Sequence, residues 1–80
     1  MKRKSLIQIT DYCIKGIERQ VGHKVEVDDL GAMMEVDELD VLEIIMDIER
    51  QHNVAFSQDI SYIYDSVPQF IEALYDAMEE

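Results

Sequence analysis

Between Asp37 and Gln51 the apolar residues cannot all face the same way. At about 100° per residue, Val41, Ile44, Ile45 and Ile48 fall on one stripe of a helix. Leu39, Leu42 and Met46, at i, i+3 and i+7, fall on another. A chain of 80 residues makes one domain, taken as residues 1–80. A domain so short buries only roughly 60% of the surface its unfolded chain exposes, so its interior is thin. It has room to cover one stripe, and the second is expected to stay on the surface. Asp40, Glu43 and Asp47 border that second stripe on one side and Glu49 on the other. An apolar ridge ringed by carboxylates suits a docking surface, with burial supplied by the ridge and steering by the rim. The alternative is that the loop and the last helix bury both stripes.

The rest of the chain reads as further helices. Apolar residues make up 48% of it, and a single proline and three glycines interrupt it, which favours helices joined by short loops. Leu6, Ile9, Cys13, Ile17 and Val21 recur at three- and four-residue steps, so the first helix is expected over 5–21, with Gly22 as its stop. From His23 to Val36 no periodicity lasts. Val25, Val27, Leu30, Met33 and Met34 imply that this connection packs on the core, with Asp28, Asp29 and Gly31 supplying turn chemistry. Asp37 caps the second helix, expected over 38–51. A loop over 54–58 and a short helix over 59–64 are expected next. The last helix follows, capped by Ser66, with Pro68 in its first turn and Val67, Phe70, Ile71, Leu74 and Met78 buried.

Charge narrows the partners. Lys plus Arg number 7 against 18 Asp plus Glu, a net charge of −11. Such a surface repels nucleic-acid phosphates and anionic lipid headgroups, and it favours partners with basic patches. No apolar run has the length of a membrane span or signal core, so a cytoplasmic protein is expected. Cys13, the lone cysteine, is read as a buried, inert thiol. His23 and His52 lack the spacing of metal ligands, and neither a calcium-binding loop nor a glycine-rich phosphate loop occurs. Tyr12, Tyr62, Tyr64 and Tyr75 are read as packing residues within helices. No catalytic residue is identified, and the chain is expected not to be an enzyme.

The run Asp37-Glu38-Leu39-Asp40-Val41-Leu42-Glu43-Ile44-Ile45-Met46-Asp47-Ile48-Glu49 resembles the second helix of bacterial acyl carrier proteins, whose pattern there is Asp-Ser-Leu-Asp-x-x-Glu-Leu-x-Met-x-Leu-Glu. The likeness continues without a gap through Phe56 to Val67 and the last helix, and more weakly over the first helix. It implies an all-α, four-helix bundle of three longer helices and a short third one. It also implies that partner enzymes of fatty acid or polyketide-type synthesis read the second helix through Leu39, Leu42 and Met46, with Asp37, Asp40, Glu43, Asp47 and Glu49 around them. Arg50 stands where the family usually has another acid.

Glu38 is the decisive departure. In the family this position is the serine that carries 4′-phosphopantetheine, and the transfer needs a hydroxyl to attack the coenzyme A pyrophosphate. A carboxylate forms no such stable phosphodiester, so the resemblance with this substitution implies a protein without the arm. Glu38 carries about the single negative charge of a phosphodiester and sits where a helix favours one, by roughly 0.3–1 kcal/mol. It either mimics the modified serine or is what remains after the arm was lost. Asp65-Ser66-Val67 resembles the attachment motif but is read as an ordinary cap. The expectation is a monomeric acyl carrier homologue without cofactor or metal that docks on, or regulates, biosynthetic enzymes. The rival is a true carrier modified at another serine, and a third reading is an unrelated acidic helical bundle.

Overall fold

A computed structural model describes residues 4–29 and 31–79. Leu30, expected to pack down from the first loop, lies outside the described residues. Helix α1 spans Leu6–Val21, a 3₁₀ turn η1 spans Ala32–Glu35, and α2 spans Glu38–His52. Strand β1, Ala55–Phe56, precedes α3, Val67–Ala77, and strand β2, Met78–Glu79. The fold is mostly helical, with α1 packed against both α2 and α3.

Each helix begins where its side chains satisfy the free N–H groups of the first turn. Ser5 accepts from the Gln8 N–H at 3.2 Å while Gln8 accepts in return from the Ser5 N–H at 2.9 Å. Asp37 and Asp40 exchange the same pair of bonds at 2.9 and 3.2 Å at the head of α2. Ser66 accepts from the Gln69 N–H at the head of α3. Gly22 ends α1 at φ 81°, a backbone that costs L side chains but not glycine, and its N–H reaches the Glu18 carbonyl at 2.8 Å. Asn53 ends α2 in the same left-handed conformation.

One core joins the elements. Ile9, Cys13 and Ile17 of α1, Val41, Ile44, Ile45 and Ile48 of α2, and Val67, Phe70, Ile71 and Leu74 of α3 are all buried. Val25 and Met33 pack down from the loop, as expected, whereas Val27 and Met34 point out, Met34 being 86% exposed. The loop is anchored at Asp29. Asp29 accepts from the Gly31 and Ala32 N–H groups, and its own carbonyl accepts from the Val67 N–H.

Two expectations fail. Residues 59–64 form no helix, and Tyr62 and Tyr64 therefore lie in a loop. Ser61 accepts from the Ile63 N–H and donates to the Ile63 carbonyl, which diverts local bonding away from a helical ladder. Residues 54–58 are not wholly irregular either, since Ala55 and Phe56 pair antiparallel with Glu79 and Met78. That pairing ends α3 at Ala77, one residue before Met78, which is buried from the strand instead.

Candidate functional site

Helix α2 divides as its spacing requires. Val41, Ile44, Ile45 and Ile48 are 0–4% exposed, while Leu39 is 73% and Met46 50% exposed. Leu42 is half-buried between them. Only one stripe is covered, and the reading in which both are buried does not hold. The exposed ridge Leu39–Leu42–Met46 runs about 10 Å along the helix, at a rise of about 1.5 Å per residue.

The acidic residues expected around the ridge have different tasks. Glu38 and Glu43 are exposed, with no partner among the described residues. Asp37 and Asp40 are engaged in the reciprocal cap. Asp47 turns toward α1, where it lies 3.8 Å from the Arg19 guanidinium, and it also bonds Arg50. Glu49 bends to β1 and accepts from the Phe56 N–H at 3.0 Å. The free acidic rim therefore narrows to Glu38 and Glu43. Arg50, paired with Asp47, holds its charge close to the helix.

The loop adds a residue that spacing did not point to. Ile63 is 66% exposed and lines a depression of about 250 Å³ together with Val36, Asp37, Glu38 and Val41. The depression joins the head of α2 at Glu38 to the 59–64 loop. Tyr64 lines the same depression, and its buried hydroxyl has no hydrogen-bond partner. Burial pushes the Tyr64 phenol above its ordinary value.

Each of the four serines bonds the backbone. Ser5 and Ser66 cap helices, Ser57 accepts from the Asp59 N–H, and Ser61 closes its own turn. Cys13 is wholly buried, and burial raises its thiol far above the range in which a thiolate forms. His52 lies flat on Tyr12 with ring centroids 3.5 Å apart, and His23 bonds the Lys24 carbonyl and the Glu35 carboxylate. Among the described residues no group of three or more His, Cys, Asp or Glu comes together to hold a metal, and no helix is long and apolar enough to cross a membrane. Comparison with protein-family models, with curated proteins and with solved structures finds no match to this chain.

Proposed function

We propose that this chain is an acyl-carrier-like docking module that bears no phosphopantetheine arm. It would act in the cytoplasm as a monomer. It presents α2 to enzymes of fatty acid or polyketide-type synthesis that carry basic patches, and it catalyses nothing itself. In this reading the bundle keeps the carrier arrangement of three long helices, with the 59–64 loop in place of the short third helix.

The observation that carries the proposal is the uncovered ridge. A helix that buries four aliphatic residues on one side leaves Leu39 and Met46 in water on the other, beside two unpaired carboxylates. The fold buries only part of these side chains, and a contiguous exposed apolar ridge offers further burial to a partner. Glu38, exposed at the head of α2, keeps a negative charge where a phosphodiester would stand.

Intact mass spectrometry after incubation with coenzyme A and a phosphopantetheinyl transferase tests the missing arm. The mass should stay unchanged, and a pantetheine-sized gain overturns the proposal. Calorimetry against basic-patched synthesis enzymes of the same host tests docking. Binding should weaken with salt and be lost in Leu39→Lys/Met46→Lys, and a binder indifferent to that change refutes the role of the ridge.

A further inference from the structure

A second apolar surface lies away from α2. Leu6 of α1, Val27 of the following loop, and Pro68 and Ile71 of α3 line an open groove of about 580 Å³. Leu6 and Val27 are 50% and 52% exposed, so side chains that would fit the core stand at its edge in water. Its α3 wall runs from Pro68 to Tyr75, about 10 Å at the rise of a helix, or two turns. No residue of α2 takes part.

Among the described residues, the charged side chains that line the groove are both acidic. Asp28 and Glu72 are its charged lining residues; both are exposed, and neither is in an ion pair among the described residues. Carboxylates at the rim repel a fatty acid or other anionic amphiphile. A second copy of the chain, at −11, meets the same repulsion. A cationic segment is attracted. Two turns of apolar wall match the i, i+3, i+4 anchors of an amphipathic helix laid in a groove.

We propose that this groove is a second docking site, for a cationic amphipathic helix of a partner protein, so that the chain holds two proteins at once. Leu6, Val27 and Pro68 receive the apolar anchors over the buried Ile71, and Asp28 and Glu72 meet the flanking lysines or arginines. The groove site itself stands apart from α2, and the holding of two proteins at once rests on the docking reading of α2.

The test uses the full ¹⁵N-labelled chain and a synthetic amphipathic peptide of leucine and lysine, with a serine–lysine peptide of equal charge as control. The leucine peptide should shift the amide signals of Leu6, Val27 and Ile71, and the control should not. Leu6→Lys/Val27→Lys alters two half-exposed side chains, keeps the melting temperature, and should weaken the groove response about tenfold or more. Leu39→Lys/Met46→Lys should leave that response intact. Shifts confined to α2, equal groove binding by the Leu6/Val27 variant, or a dimer in sedimentation that the Leu6/Val27 variant abolishes would each overturn the proposal. The first of these results would leave the α2 reading standing.

Discussion

A β-carbon on Gly16 would lie 2.7 Å from the Cγ2 of Ile44. The close crossing of α1 and α2 depends on that missing carbon, because Ile44 is fully buried and its branched side chain has little rotamer freedom. Alanine in an exposed helix gains about 1 kcal/mol over glycine. Here the clash outweighs that gain, since overpacking a core costs about 1–3 kcal/mol. Gly16→Ala should therefore lower stability, visible as a fall of several degrees in a thermal melt, and Gly16→Val should lower it further. A Gly16→Ala protein that melts higher than the parent would mean that the helices do not touch here.

The two histidines should respond to pH in opposite directions. His23 is held above its ordinary value near 6.5, first by the hydrogen bond to the Lys24 carbonyl and then by Glu35. Its contribution is therefore full below the unfolded value and fades as pH rises through the raised folded one. His52 is held below 6.5, first by desolvation and then by Lys4, Arg19 and Lys15. It disfavours the fold as pH falls through the unfolded value. Two-dimensional NMR titration should give His23 the higher midpoint. Glu35→Gln should lower the His23 midpoint and leave that of His52 unmoved. Equal midpoints would show that neither contact persists in solution.

What the sequence discloses follows the range of the interaction. The caps of α2 and α3 are readable because Asp37 and Ser66 bond backbone groups within three residues of themselves, whereas Ser5, expected as the first residue of the first helix, is its cap. The split of α2 is readable because its two stripes belong to one periodic segment. The further bonds of Asp47 and Glu49 are not readable, because their partners, Arg19 and the Phe56 N–H, come from other elements. The two-residue strands are too short to show an alternating pattern, and their register joins Ala55 to Glu79 and Phe56 to Met78 across the whole of α3. The loop over 59–64 has a plausible helix start at Asp59. Its turn at Ser61 and the packing of Tyr64 on Phe70, with ring centroids 5.1 Å apart, decide otherwise.

The two stripes of α2 should separate cleanly under mutation. Ile44→Ala removes a fully buried side chain and should cost about 2–5 kcal/mol. Met46→Lys, two residues on, replaces a side chain that is 50% exposed and should change stability by no more than about 0.5 kcal/mol. Urea unfolding of the two variants checks this. A large loss from Met46→Lys would place the ridge inside the bundle and remove the basis for docking through α2.

Glu38→Ser offers the most direct test of the carrier likeness, because it restores the hydroxyl that the attachment chemistry needs. The position is exposed in the first turn of α2, directly after the Asp37 cap, so the change should leave the fold intact. With a serine between Asp37 and Leu39 the head of α2 would match the attachment motif, and the acidic and apolar positions behind it would be unchanged. Incubated with coenzyme A and a phosphopantetheinyl transferase, the Glu38→Ser variant should gain one pantetheine-sized mass increment, and the parent chain should gain none. Adding Leu39→Lys/Met46→Lys should slow the transfer if the transferase docks on the ridge. A folded Glu38→Ser protein that no such transferase modifies would mean that the likeness of α2 to carrier helices does not extend to recognition, and the chain would then be an acidic helical bundle of another kind.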